Sequence, residues 1–498
     1  MHAGNGSEKQ IGSFVVDIGK QKRVNKVYEF HGCFWHGCEK CFGRTGNTMA
    51  DLFQRTMDKR KYLENNSYKY MYISIWECQF DNELRSNEQM RNFAENLCLE
   101  DPLEPRHAFH GGRSEAFTMH KEAEGDTIDY YDLTSLYLFI NKTGKIPLGH
   151  PKIITDNFED IDRYEGLIKC KRVPPRGLCL PVLPLKCNGK LLFGLCYTCM
   201  KNNFTDECKH TDEERAIVGT WVTDEIKKAV SKGYLITELF MKCGILTKYH
   251  NTILIPKEVE SSQNTFWGKF GQRLNLPKTT YVKDAATYLD ILTSDGQEVK
   301  DVSFVSEEMV RLQWINNEKF VEESGKTNVV IAAYTTAQAR LQLYKYLENL
   351  GDRSLYCDTD SIIFASKPGD WRPMTGDYLG DLTDELPNNN IEVFVSGGPK
   401  NYAFKLTKPD KAGNQTCCKI RGITLNYKNS LELNFEIVKD MVKGRMKSVT
   451  VTDEYKIRRN VKSNDIITCV EEKNYRIVFD KRVLKDNYTT VPYGMLWQ

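Results

Sequence analysis

Two acidic segments interrupt apolar, strand-like runs of the sequence. The first holds Asp132 in YYDLTSLY, and the second holds Asp358 and Asp360 in LYCDTDSIIF. Aspartate is disfavoured in strands, and a buried carboxylate needs a partner or a metal ion. Asp358 and Asp360 flank Thr359, which predicts the tip of a tight hairpin. Either segment alone could be an ordinary turn, but together they favour chemistry. Aspartates from two strands could bind a pair of Mg²⁺ ions roughly 3.5–4 Å apart, the arrangement used in phosphoryl transfer.

Two groups of cysteine and histidine have the spacing of zinc sites. The first group is Cys196, Cys199, Cys208 and His210, and its CxxC pair can supply two ligands from one turn. The second lies in YEFHGCFWHGCEKC, residues 28–41, with WEC at residues 76–78. Free surface thiols are the alternative, but four ligands in tetrahedral reach favour structural Zn²⁺.

Length and composition exclude several classes of protein. The chain has 498 residues, of which 40% are hydrophobic and 27% charged, so disorder and fibrous repeats are excluded. A chain of this length predicts two to four domains. It has no apolar run of about 18 residues, so no membrane span is expected. Its polar N-terminus is unlike a secretory signal. Clustered cysteines without such a signal indicate a soluble protein of a reducing, intracellular compartment.

The net charge of +2 conceals an uneven distribution. Residues 301–395 carry 8 Lys/Arg and 16 Asp/Glu, a net of −8, whereas residues 396–498 carry 20 and 11, a net of +9. An acidic segment beside a basic one fits an enzyme that binds both metal ions and a polyanion. Unevenly charged, solvated surface explains the same numbers.

The elements that must position these residues fall into three predicted domains, residues 1–100, 101–395 and 396–498. The first contains strand-like runs at residues 14–18, 27–30 and 70–76 and a helix-like stretch at 48–63. The second contains strand patterns at 128–140 and 355–364 and helix patterns at 223–232 and 335–350. The helix pattern at 335–350 places Ala339, Leu343, Tyr346 and Leu350 on one face.

The acidic segments resemble motifs A and C of family B DNA polymerases. Neighbouring segments narrow the resemblance to the protein-primed branch of Polinton/Maverick-type transposons, over about residues 103–498. NTFWGKFG from Asn264 resembles the end of motif B, and FHGG, which contains Gly111 and Gly112, resembles the template-contacting Y-x-G-G element. Lys400 and Tyr402 resemble the K-x-Y motif that holds the primer strand.

This resemblance implies a right-hand polymerase with palm, shortened fingers and thumb. Asp132 and Asp360 would be the main metal ligands, with Asp358 beside them. Tyr137 would exclude a 2′-hydroxyl, and Asn264 would lie near the nucleotide. Gly111, Gly112, Lys400 and Tyr402 would contact DNA, and the basic C-terminal region would grip duplex phosphates.

The sequence departs from the family pattern at the fingers. Motif B normally begins with a lysine four residues before the asparagine, but Glu260 occupies that position. The helix that carries the triphosphate-binding basic residues is missing. Losing one preorganised charge at a developing oxyanion costs about 2.7–4 kcal/mol. We therefore expect weak polymerase activity, or none.

HGCFWHG and WEC in residues 5–85 resemble the very-short-patch-repair endonuclease, a relative of the PD-D/E-x-K nucleases. The resemblance implies a zinc site and a nuclease centre, with Glu8 as an auxiliary carboxylate. The implied zinc ligands are Cys33, Cys38, Cys41 and Cys78. The implied catalytic residues are Asp17, Glu29, His31 and His36. A zinc-stapled DNA-binding module with an inactive centre is the alternative.

The overall expectation is an α/β and α+β multi-domain protein, in which a PD-D/E-x-K-like nuclease domain precedes the polymerase. The expected function is DNA-directed DNA synthesis with two Mg²⁺ ions and up to two structural Zn²⁺ ions. The expected partners are primer-template DNA, dNTPs and a terminal priming protein. A Mg²⁺-dependent endonuclease and a decayed DNA-binding transposon remnant are the alternatives. Nuclear location is inferred from the resemblance.

Overall fold

A computed structural model describes most of the chain. It covers residues 7–11, 14–21, 24–42, 47–65, 70–96, 103–148, 153–154, 158–243, 249–250, 266–317, 320–321, 327–460 and 465–496. Contacts divide the chain into two compact units. Unit 1 contains Met1–Asp101 and Asn275–Glu323, and unit 2 contains Pro102–Leu274 and Ser324–Gln498.

The elements follow one another along the chain, and three short 3₁₀ turns lie at Pro105–Ala108, Ile161–Arg163 and Gly351–Arg353. The N-terminal elements are β1 (Ser7–Ile11), β2 (Phe14–Gln21), β3 (Val24–His31), α1 (Glu39–Phe42), α2 (Asn47–Asn65), β4 (Tyr70–Trp76), α3 (Glu77–Ser86) and α4 (Glu88–Asn96). Next are β5 (Ser114–Ala116), β6 (His120–Glu122), β7 (Thr127–Leu133), α5 (Leu136–Thr143), β8 (Ile146–Pro147), β9 (Ile153–Ile154), β10 (Leu167–Val173), β11 (Leu185–Cys187), β12 (Lys190–Leu192), α6 (Tyr197–Asn202) and α7 (Asp212–Arg215). These are followed by β13 (Ile217–Val222), α8 (Thr223–Ser231), β14 (Leu235–Cys243), β15 (Tyr249–His250), α9 (Phe266–Phe270), β16 (Lys278–Val282), α10 (Ala285–Thr293), β17 (Gln297–Ser306) and β18 (Met309–Asn316). The remaining elements are α11 (Val329–Leu350), β19 (Ser354–Asp358), β20 (Ser361–Ser366), β21 (Leu382–Asp384), β22 (Ile391–Gly398), β23 (Asn401–Leu406), β24 (Thr416–Ile420), α12 (Tyr427–Glu432), α13 (Phe435–Val442), β25 (Val449–Arg459), β26 (Ile466–Tyr475), β27 (Val483–Leu484) and β28 (Thr490–Val491).

Unit 1 is built on two sheets. The first has the order β1-β2-β3-β4, in which β3 and β4 are parallel and the other pairs antiparallel. The buried side chains of Val27 and Leu63 belong to its core. The second sheet, β16-β18-β17, comes from the later segment and buries Val282 and Leu312 with α10. The rings of Phe34 and Phe320 meet edge to face at 5.4 Å and join the two segments of this unit.

Unit 2 is built around a nine-stranded sheet. Its main order is β24-β23-β22-β7-β20-β19-β5, while β21 pairs with β7 and β6 pairs with β22. A second sheet, β13-β10-β14-β9, lies in the same unit. Helix α11 buries Ala339, Leu343 and Leu350 against the main sheet and α5, which confirms the predicted apolar face. Because β22–β24 belong to the main sheet, the basic C-terminal region begins within it.

The strand predicted over residues 128–140 is wrong in its second half. Strand β7 ends at Leu133, Ser135 adopts a left-handed conformation with φ of 50°, and α5 begins at Leu136. Leu136 and Ile140 are buried four residues apart, which is the spacing of a helix face. The strand prediction followed apolar content and overlooked this change of period.

Candidate active site and metal-binding clusters

Three neighbouring strands bring the acidic segments together. Asp358 ends β19 and opposes Ser361 of β20, so the segment does form the predicted hairpin. Ser361 in turn opposes Asp132 of β7, and the Leu133 N–H donates to the Asp360 carbonyl at 2.8 Å. The hairpin tip is tight, since Thr359 has a φ of 62°. The two acidic segments, distant in sequence, are therefore adjacent in the sheet.

The carboxylates repel one another. Burial raises the pKa of Asp132 to about 6, and Asp360, Glu385 and Asp358 raise it further in that order of effect. Burial also raises the pKa of Asp360, with Asp358 adding to the shift. Concentrated negative charge of this kind favours cations. Within the described residues, ligand atoms of three or more side chains lie within 4.8 Å of one another only in the two cysteine groups, so the three aspartates are neighbours and not a closed cage.

The loop that contains Gly111 and Gly112 packs against the hairpin. A Cβ on Gly112 would lie 2.7 Å from Oγ1 of Thr359, whereas a Cβ on Gly111 would meet open space. The guanidinium of Arg340, on α11, donates to the carbonyls of His110 and Gly111 at 2.7 and 2.8 Å. Arg340 also pairs with Glu225 at 2.9 Å, which fixes the loop. The sequence reading missed Arg340, although it lies on the predicted α11 helix.

The K-x-Y residues have different environments. Lys400 has a φ of 61° and lies in the turn between β22 and β23, where its Nζ lies 2.9 Å from each carboxylate oxygen of Asp358. Tyr402 is buried, with its hydroxyl 3.3 Å from that of Tyr130. Lys419 lies 5.8 Å from the ring centroid of Tyr402 and lowers the pKa of Asp132, and the sequence reading missed it. The described Tyr402 side chain is thus a core residue beside the carboxylates.

Tyr137 lies in the first turn of α5. Burial raises its pKa to about 12, and Asp360 and Asp358 add to this effect while Arg340 opposes it. Tyr137 therefore lies near the same carboxylates. Asn264 and Glu260 fall outside the described residues, as does the whole segment 251–265.

A second polar group occupies unit 1. The Tyr72 hydroxyl donates to Oε2 of Glu29 at 2.8 Å and lies 3.2 Å from Nε2 of His31. Lys59 Nζ forms an ion pair with Oε1 of Glu29. Burial lowers the pKa of His31 to about 4, and its ring lies 5.0 Å from that of His36. The structure thus brings Glu29, His31 and His36 together and adds Lys59 and Tyr72, which the sequence reading missed.

The other nuclease-like residues lie on the same sheet. Asp17 in β2 opposes Tyr28, the residue before Glu29, and Glu8 in β1 opposes Asp17. The backbone thus places Asp17 beside Glu29 on neighbouring strands.

The first cysteine group comes together in unit 1. Atoms Sγ of Cys33, Cys38, Cys41 and Cys78 all lie within 4.8 Å of one another. Cys38 and Cys78 are closest, at 3.9 Å, and the Cys78 N–H lies 3.4 Å from Sγ of Cys33. A set of four thiols at this separation is compatible with tetrahedral Zn²⁺.

The second group comes together in unit 2. Nδ1 of His210 lies 3.5, 3.3 and 3.5 Å from Sγ of Cys196, Cys199 and Cys208. Contact with Cys199 and the neighbouring His210 lowers the pKa of Cys196 to about 5 despite burial. A thiolate at neutral pH is the form that binds metal, so this group also fits Zn²⁺.

Helices of the described residues include none that is both long and apolar enough to cross a bilayer. A search of curated protein sequences finds no match. Residues 63–252, less than half of the chain, match the family described as DNA polymerase type B, organellar and viral.

Solved structures of Phi29 DNA polymerase have a similar fold. Its complexes with single-stranded DNA and with primer-template DNA each align with a TM-score of 0.50 at 14% identity. Each alignment covers 80% of this chain and 67% of the polymerase. These matches show a mixed α/β fold like that of Phi29 DNA polymerase. Together with the family match, they support a DNA-directed DNA polymerase.

Proposed function

We propose that unit 2 catalyses template-directed DNA synthesis of the protein-primed family B type. The observation that carries this proposal is the convergence of Asp132 with Asp358 and Asp360 on neighbouring strands, where mutual repulsion raises the pKa of Asp132 to about 6. The Polinton type and the partners, primer-template DNA, dNTPs and a terminal priming protein, are parts of the same proposal, as is nuclear location.

In this mechanism the three aspartates would hold two Mg²⁺ ions, which polarise the reacting phosphoryl oxygens when bound. Asp132 has to be ionised to serve as a ligand. Thr359, packed under Gly112, keeps the hairpin tip in its left-handed turn. Lys400 and the bases of the loop at Gly111 would orient the primer and template. Glu260 in place of lysine weakens the grip on the triphosphate, so the rate is expected to be low.

Primer extension tests this proposal. With Mg²⁺ and dNTPs, the wild-type chain should extend a primed template, and Asp360→Ala should abolish extension, because it removes a metal ligand. The matched control is Asp377→Ala, an exposed aspartate outside the hairpin, which should extend primers at the wild-type rate. Extension unaffected by Asp360→Ala would contradict the assignment of the metal site.

We also propose that unit 1 is a Mg²⁺-dependent endonuclease, because Glu29, His31 and His36 lie together and Asp17 is on the adjacent strand. In this site Asp17 and Glu29 would hold the cation. The Tyr72 hydroxyl fixes the Glu29 carboxylate, and neutral His31 can accept a proton.

Nicking of a supercoiled plasmid tests the second activity. Asp17→Ala and Glu29→Gln should each abolish nicking, whereas Glu64→Gln, a surface carboxylate paired with Arg60, should not. If wild type neither nicks DNA nor extends primers but binds DNA in a salt-sensitive manner, the chain is a decayed DNA-binding remnant and both proposals are wrong.

We propose that each cysteine group holds a structural Zn²⁺ ion. The donor sets are four cysteines in unit 1 and three cysteines with one histidine in unit 2. Both are donor sets of structural zinc sites, which contribute directly to folding.

A further inference from the structure

Three charged side chains are buried together behind the hairpin of unit 2. Arg113, Glu115 and Arg482 are each at most 3% exposed. Arg113 lies 2.6 Å from one carboxylate oxygen of Glu115, and Arg482 lies 3.6 Å from the other. Burial opposes the charge on Glu115, but the two arginines outweigh it and lower its pKa. We call these three residues the buried charge triad.

The triad touches the strand that ends at Asp358. Glu115 of β5 opposes Cys357 of β19, and Ser114 opposes Asp358 itself. The Arg113 carbonyl accepts a hydrogen bond from the Thr359 N–H at 2.6 Å. One member of the triad is thus bonded directly to the tip of the carboxylate hairpin.

The third member comes from the far end of the chain. Arg482 Nε donates to Oγ1 of Thr490 at 2.9 Å, and Thr490 Oγ1 donates to the Ala116 carbonyl at 2.8 Å. The Thr490 N–H donates to the Phe117 carbonyl at 2.8 Å. Residues 482–490 are therefore bonded to β5 and the residue that follows it.

The second cysteine group holds the same C-terminal segment. The Leu195 N–H donates to the Tyr493 carbonyl at 2.7 Å. Gly494 has a φ of 84°, and a Cβ there would lie 2.3 Å from Cβ of Cys196. The segment thus runs from the cysteine group to the buried charge triad and, through Arg113, to the hairpin.

Stability alone does not account for three buried charges. Replacing a buried ion cluster with apolar side chains of similar volume is often neutral or stabilising, whereas removing one partner is strongly destabilising. A triad retained beside reacting groups is better explained by the geometry that it imposes.

We propose that Arg113, Glu115 and Arg482 are positioning residues that hold Asp358 and Asp360 in register for metal binding. This inference rests on the proposed polymerase function. It makes the C-terminal segment a structural part of the polymerase site, although none of its residues reaches the carboxylates.

The test replaces the whole triad in the full-length chain. The triple variant Arg113→Met, Glu115→Leu, Arg482→Met leaves no unpaired buried charge and should retain the wild-type melting temperature. Hydrogen exchange in a peptide spanning residues 357–361 should become about tenfold faster, because the hairpin opens more often. Extension should lose about 10²-fold in kcat with little change in KM for dNTP. The matched control, Arg311→Met with Asp301→Leu, removes a buried arginine and its partner from unit 1 and should leave both readouts unchanged.

A second variant covers the case in which the triple variant does not fold. Thr490→Val removes the acceptor of Arg482 with little change in volume, and it should speed exchange at residues 357–361 by about threefold. Unchanged exchange in a folded triple variant, or in Thr490→Val, would overturn the positioning role. If the wild-type chain extends no primer, the polymerase proposal fails, but the exchange measurement still decides whether the triad holds the hairpin.

Discussion

Lys400 and Asp358 form an ion pair in which Nζ lies 2.9 Å from both carboxylate oxygens. The lysine comes from the β22–β23 turn and the aspartate from the end of β19, so two connections of the main sheet meet at this pair. The lysine competes with any divalent cation for the Asp358 carboxylate, and a primer phosphate would compete with Asp358 for the lysine.

Replacing Lys400 should therefore have opposite effects on metal and DNA. In Lys400→Met, the Mg²⁺ concentration for half-maximal extension should fall by up to about fivefold, and KM for primer-template should rise by a similar factor, because a partly exposed ion pair contributes about 0.2–1 kcal/mol. Lys405→Met, which breaks a pair with Glu392 on the same strand, is the control. Metal and DNA dependences that both match wild type would contradict the role of Lys400.

Protonation of Asp132 should set the acid limit of activity. Burial, Asp360, Glu385 and Asp358 raise its pKa to about 6, so extension should decline as the pH falls through 6 and this ligand becomes neutral. Rates measured from pH 8 to 5 should show this decline. A flat profile down to pH 5 would be incompatible with ionised Asp132 as a ligand.

The same shift predicts the sign of a stability change. Because the folded-state pKa of Asp132 is above its usual value of 3.8, the folded protein binds this proton more tightly than the unfolded chain does. The stabilisation is thus full below about pH 3.8 and is lost as the pH rises through 6. Asp132→Asn, which removes the ionised form, should raise the free energy of unfolding at pH 7.5 by about 1 kcal/mol, since solvent screens part of the repulsion. Urea unfolding at pH 7.5 and 5 measures it, and the gain should shrink at pH 5.

The glycine pair offers a steric test of the hairpin. Gly112→Ala places a methyl group 2.7 Å from Oγ1 of Thr359, so the loop or the hairpin tip must shift. A displacement of this kind can cost about 10²-fold in rate. Gly111→Ala, which meets open space, is the matched control and should extend primers normally. Equal activity of the two variants would show that the contact at Thr359 is unimportant.

Metal content should follow the two cysteine groups separately. Native mass spectrometry should find two Zn²⁺ ions in wild type and one each in Cys33→Ser and Cys199→Ser, because each change removes one of four ligands. Cys469→Ser, outside both groups, should retain two ions. Fewer than one ion per wild-type chain would reject both sites. A chelator should lower the melting temperature if the zinc is structural.

Local patterns were sufficient for much of the fold. The strand at residues 70–76, the long helix before it and the hairpin at Asp358–Asp360 follow from alternation, helical period and turn residues, and the structure confirms them. The helix at α5 was missed because a left-handed Ser135 changes the period within one apolar run. Such a switch is set by packing against α11.

Partners distant in sequence were beyond those patterns. Tyr72 is one residue of an alternating strand, and nothing in its neighbourhood indicates that its hydroxyl contacts Glu29. Arg482 is a single basic residue in a basic region, yet it is buried against Glu115. Long-range pairing of this kind depends on strand order, which one sequence does not reveal.

The division of the chain into units bears on how it can be shortened. Unit 1 contains two separate segments, and the second, Asn275–Glu323, interrupts unit 2. A truncated gene that begins at Pro102 would therefore still encode half of the missing partner, with Phe320 stripped of its neighbour Phe34 and exposed to solvent. Shortening the chain cleanly requires a second excision, with a brief linker joining Leu274 to Ser324.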